Sequence, residues 1–488
     1  MKLLLINTPI NIPDTLGNFS QVYDDMKMIP TGIAYLAAFV RNNGVEVRIL
    51  DQYAESLPVD RIVRYIEDFS PNIIGYSVTT PNYSASIELC RVIKDKFPQI
   101  PSVMGGYHPS VCPEQTLSCE SVDFVIRNEG EHSLLALCEA LNGRSKNFSD
   151  IPNLSYKTTT GQNHNEKALN VNVNELPFPA YDLLPMHMYS SPSYTKFASP
   201  VYQMLTSRGC PYSCKYCINA GSNVAARYRR RHIASVLDEI EHLVSKYNAK
   251  QIQFWDPIFP LGKKHAHEFC QELHNRGLNR KIVWSSTTRA ELLDQETIEA
   301  MAHSGCRGIG FGIESGVPEL LKSVNKKFEF DKVRNICRIA RKNGLVVSAG
   351  FIIGFPGETR KMTQQTIDFA KSLDLHYAQF SIMTPYPGTP LYKELVSVGE
   401  ISGILEDDYI RYNQSVGLTD YDPIYVPIGR DASELKRMYK QAYIQFYFRP
   451  RMIWMHLQHL RFANIFGYIR SLKAIIPLLF KNLLNFQR

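Results

Sequence analysis

The sequence predicts an α/β protein: a doubly wound, flavodoxin-like sheet, then a partial, TIM-like (β/α)6 barrel, then a helical extension. Short apolar runs rich in Val and Ile alternate with helical patterns over about the first 145 residues. The alternation returns near Val201 and runs for six strand–helix units. It stops after about residue 400, where basic and aromatic residues take over. Strands that read as continuous apolar runs are buried on both faces, as in parallel sheets covered by helices.

In the first unit, residues 1–145, strand-like runs stand at 2–7, 45–50, 72–78, 101–105 and 123–127. Helical patterns fill the gaps at 32–41, 59–69, 82–97 and 131–141. Open α/β sheets bind ligands outside the carboxyl ends of their strands. Those ends carry Thr8 and Pro9, then Ser77, Thr79 and Thr80, then Gly105, Gly106 and His108, then Glu129 and Gly130. These are the candidate binding residues of this unit. Residues 146–195 turn rich in Asn, Thr, Ser and Pro and read as a linker with room for a small hairpin.

The second unit, residues 196–400, has strand-like runs at 201–207, 251–256, 281–286, 307–313, 345–353 and 377–384. The helix expected at 233–247 places Ile233, Val236, Leu237, Ile240, Leu243, Val244 and Tyr247 on one face. Barrels of this kind carry their functional groups at the carboxyl ends of the strands. Directly after the first barrel strand come Cys210, Cys214 and Cys217, in Cys-Pro-Tyr-Ser-Cys-Lys-Tyr-Cys. The other seven of the ten cysteines share no spacing. The start of the chain meets Pro9 too soon for a secretory signal, and no stretch of 18 uncharged apolar residues suits a membrane span. Clustered cysteines then point to metal or redox work in a reducing, cytoplasmic compartment. A [4Fe–4S] cluster normally takes four thiolates. This loop offers three, which leaves one iron open to a small chelating ligand. The alternative is a structural zinc site, but its fourth ligand is missing at ribbon spacing.

The cysteine loop, with aromatic Tyr216 before its last cysteine, resembles the radical S-adenosylmethionine superfamily. That resemblance implies that S-adenosylmethionine chelates the open iron. An electron from a donor such as flavodoxin or ferredoxin then releases a 5′-deoxyadenosyl radical. It also implies cofactor contacts at Tyr216, at Asp256 after the second strand, at Arg289 after the third, at Glu314 and Ser315 after the fourth, and at Gly354 after the fifth. Pro257 stands where relatives of this subgroup often carry a second acid.

The front unit resembles the cobalamin-binding domain found ahead of many such enzymes, through Pro30 to Leu36, Met104 to Pro109 and Val122 to Glu131. The strand-end residues named above then become cobalamin contacts. The Asp-x-His-x-x-Gly motif that supplies a histidine to cobalt is absent, which implies a cobalt without a histidine lower ligand. His108 reads as a loop residue near the corrin or its nucleotide tail. A front sheet kept only as a scaffold is the alternative.

Together these matches cover most of residues 1–395. They resemble the cobalamin-dependent radical methyltransferases and the anaerobic Mg-protoporphyrin ester cyclases. The leading expectation is radical cleavage of S-adenosylmethionine and cobalamin-dependent methylation of an unactivated carbon on a small molecule. An oxidative or ring-forming reaction without methyl transfer is the alternative. A non-enzymatic iron–sulfur or cobalamin sensor is the third reading. No histidine or carboxylate stands out as a general acid or base.

The net charge of +7 comes from the end of the extension (residues 401–488), from Arg430 on. From Arg430 to Arg488, eleven Lys and Arg face two acids, a balance of +9, which leaves −2 for the rest. Trp454, Phe462, Phe466, Tyr468, Phe480 and Phe486 are interleaved with these charges. A basic amphipathic helix can lie on the inner face of an anionic membrane, which would suit a lipid or other hydrophobic substrate. Packing across the open barrel is the alternative. No nucleic-acid motif accompanies the charge, so no nucleic-acid partner is expected.

Overall fold

A computed structural model describes residues 1–10, 27–143, 147–168, 170–192, 195–221, 228–403, 406–413 and 416–458. The front sheet begins with β1 (Lys2–Asn7), β2 (Glu46–Asp51), β3 (Ile73–Ser77), β4 (Ser102–Gly105) and β5 (Phe124–Ile126). They run parallel in the order β2-β1-β3-β4-β5, the flavodoxin order. Strand β1 shows why. Leu3 and Leu5 enter one core, Leu4 and Ile6 the other, because alternate side chains leave on opposite faces.

The expected linker does more than connect. Within it, β6 (Leu154–Thr158) and β7 (Gly161–His164) form a hairpin that pairs antiparallel with β5. Among the described residues the sheet therefore has seven strands. Leu154 and Ile151 are fully buried in the front core, which seats the hairpin there.

The second sheet holds β8 (Val201–Met204), β11 (Gln251–Phe254), β12 (Val283–Thr288), β13 (Cys306–Glu314), β14 (Val346–Ile353) and β15 (Tyr377–Ile382), all parallel. It is open between β15 and β8. Its outer face is apolar: Trp284 packs edge-on against Phe254 at 5.8 Å and Phe269 at 5.4 Å, beneath the helix Lys263–Asn275. The helix Ile233–Tyr247 forms as expected, with Ile233, Val236, Leu237, Ile240 and Leu243 buried. The inner face is floored by the end of the linker. Gln251 accepts from the Phe197 and Ala198 amides at 2.7 and 3.0 Å, and Gln203 and Gln253 both bond Ser191. Between β8 and β11, β9 (Ser207–Arg208) and β10 (Arg229–Arg230) form a two-residue antiparallel ladder. That ladder closes the base of the cysteine loop.

The extension seals the open edge. From the helix Ala432–Tyr447, Tyr443 Oη bonds both the amide and the carbonyl of Phe380, at 3.1 and 3.0 Å. Tyr447 Oη does the same to Ala378, at 3.0 Å each way. An unpaired strand edge invites association, and here side-chain hydroxyls occupy it. The stretch carrying Phe462, Phe466, Tyr468, Phe480 and Phe486 lies outside the described residues, so the membrane reading of the tail does too. Among the described residues no helix is long and apolar enough to cross a membrane.

Candidate functional site

The cysteine loop starts from a turn that Asp256 holds. Asp256 accepts from the Thr206 amide with both oxygens at 3.0 Å, from Thr206 Oγ1 at 2.9 Å, and from the Ser207 hydroxyl. Burial pushes its carboxyl up to about 6, while the Ser207 and Thr206 hydrogen bonds pull it back. The residue expected to meet a cofactor amine thus supports the loop that bears the cysteines. Within the loop the Cys217 amide donates to the Cys214 carbonyl at 2.9 Å. The Lys215 amide donates to Val324 O, and Leu391 N donates to Lys215 O, both at 3.0 Å.

The thiols sense one another. Burial raises Cys210 and Cys217, and the neighbouring cysteines of the loop raise them further. Arg289 and Lys326 oppose this at Cys210, as cations beside a thiol do. Among the described residues, no three Cys, His, Asp or Glu gather round a point that would suit a single metal ion.

Several expected residues gather at this loop. The Arg289 guanidinium lies 3.9 Å from the ring centre of Tyr212 and donates to Glu291 at 2.5 Å and Lys327 O at 3.0 Å. Glu314, at φ +71°, pairs with Lys326 at 3.1 Å. Burial and the Glu314 carboxylate raise the Tyr216 phenol, whose ring meets Phe355 edge-on at 6.0 Å. Two others serve local structure. Ser315 Oγ bonds Thr366 Oγ1 and accepts from Val317 N, both at 3.1 Å. Gly354, at φ +91°, donates its amide to Glu358 at 2.8 Å, as Phe355 does. Sequence reasoning missed Tyr212, Lys326 and Glu358. Only Glu358 carried a signal, as the acid that closes Gly-Phe-Pro-Gly-Glu.

The front sheet presents its own strand ends. Thr8 Oγ1 and Ser86 Oγ lie 2.5 Å apart, and Asn82 Nδ2 donates to Thr8 Oγ1 at 3.0 Å and Ser77 O at 3.2 Å. Thr79 and Asn82 form a capping box. Pro9 is the last residue but one of the described segment 1–10. An added Cβ on Gly105 would meet Ile126 O at 3.5 Å. Gly106 stands at φ +111°, and an added Cβ would fall 2.4 Å from Val78 O, so only glycine fits. His108 is fully buried, with Nδ1 3.2 Å from Thr80 Oγ1 and its ring 4.3 Å from that of Tyr83. Burial lowers it to about 4, against a side-chain interaction with Gln115 that raises it, so it is neutral; among the described residues Nε2 has no partner within hydrogen-bond geometry. An orphaned imidazole nitrogen and a close glycine turn at the ligand end of the sheet fit a bound group. Glu129 and Gly130 do not point that way. Glu129 bonds Arg229 at 2.5 and 2.9 Å and accepts from Val171 N at 2.8 Å. Gly130 lets Ile126 and Leu36 approach to 3.3 and 3.4 Å of where a Cβ would sit.

A cleft of about 630 Å³, lined by Tyr189, Tyr202 and Tyr247 among others, lies at the amino ends of the barrel strands, away from these groups.

Residues 24–138 match the family model described as the B12 binding domain, and 204–370 the one described as the radical SAM superfamily. An uncharacterized methyltransferase of Pyrococcus horikoshii is 34% identical over 93% of this chain and 94% of its own length. Cytidylyl-2-hydroxyethylphosphonate methyltransferase of Streptomyces wedmorensis is 26% identical over 85% of this chain and 86% of its own. In fold, the chain is similar to the cobalamin-dependent S-adenosylmethionine radical enzyme OxsB, solved with aqua-cobalamin and S-adenosylmethionine. The TM-score is 0.72 at 18% identity, over 98% of this chain and 72% of that one.

Proposed function

This chain belongs to the radical S-adenosylmethionine enzymes that carry a B12-binding domain ahead of the barrel, and on that premise we propose that it methylates carbon on a small molecule bearing a neutral hydrogen-bonding group. Its cofactors are a [4Fe–4S] cluster, S-adenosylmethionine and cobalamin. When bound, they supply one-electron cleavage of the sulfonium and a methyl group for transfer. Cys210, Cys214 and Cys217 would hold the cluster. Tyr216, Arg289 and Glu314 would stand around S-adenosylmethionine, and Asp256 keeps the loop seated.

The observation that carries the substrate reading is the barrel's inner face. Between the Phe197 ring, which covers Gly308, and the Glu314–Lys326 pair beside Gly312, it is largely polar and carries no charge. Ile309, Phe311, Val347, Ala349, Ala378 and Phe380 belong to the outer core, so the alternate residues face inward. These are Ser285 and Thr287, Gly308 and Gly310, Ser348 and Gly350, Gln379 and Ser381. Contacts at the glycines agree: an added Cβ on Gly310 would meet Thr287 Oγ1 at 2.9 Å and Ser348 Oγ at 3.3 Å. At Gly350 it would meet nothing within 4 Å, so there is room. Ser285 Oγ is buried without a hydrogen-bond partner among the described residues. A buried unpaired hydroxyl costs about 1–3 kcal/mol, which a substrate hydroxyl or amide relieves and a hydrocarbon does not. This supports a polar substrate over a lipid.

The test is the anaerobically reconstituted enzyme with S-adenosylmethionine, cobalamin and reductant. It is offered neutral amino acids, nucleosides and sugars, and separately a hopanoid in vesicles. Deoxyadenosine together with S-adenosylhomocysteine, on a polar substrate, is the expected result. Deoxyadenosine alone would move the reaction to the ring-forming class. Turnover of the hopanoid only would overturn the substrate reading.

A further inference from the structure

We propose that Glu129 and Glu131 of the front domain are positioning residues that align the cysteine loop with the cobalamin-binding end of the front sheet. The proposal rests on the two-cofactor reading above.

The ladder at the base of the cysteine loop sets two like charges face to face. In the ladder that closes the cysteine loop, Arg208 lies directly opposite Arg229. Like charges facing each other across strands drive them apart. Both side chains are only 16% exposed, so water screens them little. The front domain supplies the counter-charge. Glu129 takes Arg229 at 2.5 and 2.9 Å and stands 3.6 Å from Arg208. Glu131 takes Arg208 at 2.6 Å, through one oxygen only; its other oxygen is buried without a hydrogen-bond partner. Two arginines of the barrel thus meet two acids of the other domain. One arginine stands before the cysteines and one after them, so the acids hold both ends of the loop. The next two arginines in the chain are paired within the barrel, Arg230 with Glu268 at 3.7 Å and Arg231 with Glu239.

A second tie runs in the same sense. Tyr107, directly after Gly106, donates its hydroxyl to Pro387 O at 2.7 Å. Gly388, at φ +82°, packs so close to Val111 that an added Cβ would lie 2.6 Å from it. From there Leu391 N reaches Lys215 O, inside the cysteine loop. Both ties leave the front domain from the carboxyl ends of β4 and β5, the end where a doubly wound sheet holds its ligand. A displacement of that end is therefore passed to the loop at its base and near its middle.

The test reads distance, not activity. In the reduced, cobalamin-loaded enzyme, cob(II)alamin and the [4Fe–4S]+ cluster are both paramagnetic, and their electron paramagnetic resonance coupling falls steeply with separation. Glu131→Gln is expected to weaken or broaden that coupling by about twofold, as a pinned loop relaxes by a few ångström, with iron and cobalamin contents unchanged. Arg208→Met should do the same, and the exchange Glu131→Arg with Arg208→Glu should restore part of it. If Arg208→Met assembles no cluster, Glu131→Gln, which leaves the barrel unaltered, carries the test. Coupling identical to wild type in Glu131→Gln, or loss of its cluster, overturns the proposal, because the acids would then serve folding alone. A wild-type protein that takes up no cobalamin sinks the two-cofactor reading, and this proposal with it.

Discussion

Gly106 holds the turn after β4 where no side chain can stand. Replacing it with alanine puts a methyl group 2.4 Å from Val78 O at φ +111°. Gly106→Ala should cost about 2–3 kcal/mol in urea denaturation, and cobalamin uptake should fall with it. Cys214→Ala is expected to lose the cluster, read as iron and sulfide content; unchanged iron would refute the ligand assignment. Asp256 gives a pH signature. Its folded carboxyl lies at about 6, above the ordinary 3.8, so folding favours the protonated form. Its contribution to stability is full below 3.8 and fades as pH rises through about 6. Asp256→Asn should flatten the stability-versus-pH curve across that window. At this scale the cysteines were legible because their spacing is local. The partners of Asp256 were not, because Thr206 and Ser207 lie about fifty residues earlier in the chain.

Among the elements, the two tyrosines along β15 act as the missing neighbour strand. The double change Tyr443→Phe with Tyr447→Phe strips hydrogen bonds from Phe380 and Ala378 backbone. It should destabilise the barrel by about 1–3 kcal/mol per residue uncapped, and light scattering should report more self-association on heating. The strands themselves were readable from apolar runs, and the extension was readable as helical. Its seat was not, because a hydroxyl meeting a strand 63 or 69 residues away leaves no periodic trace. The hairpin β6–β7 was foreseen as a hairpin but not as part of the front sheet. What joins it there is burial of Leu154 and Ile151, which the polar composition around them hides.

For the whole molecule, periodicity separated the two α/β units but said nothing of how they meet. Arg-Asn-Glu-Gly-Glu and Ser-Arg-Gly-Cys each look like ordinary strand ends; only their juxtaposition makes them partners. Their contact should respond to acid. Burial alone would raise Glu129, but the Arg229 hydrogen bond and the charges of Arg208 and Arg229 outweigh it and hold the carboxyl below its ordinary 4.5. The Val171 amide donates to it as well. The stabilisation is present above 4.5 and is lost as pH falls from there through the lower folded value. Limited proteolysis between the domains should therefore accelerate only on the acid side of 4.5, and Glu129→Gln should lose most of that dependence.

The same two acids set a compatibility rule for chimaeras. A front domain transplanted from a relative brings its own residues to the places of Glu129 and Glu131. Where these are not acidic, the recipient barrel keeps two facing arginines with nothing to neutralise them. Grafts that carry the four residues across as one unit should assemble, and grafts cut between them should not. In this chain, the seam at which halves can be recombined is written in charge rather than in the linker.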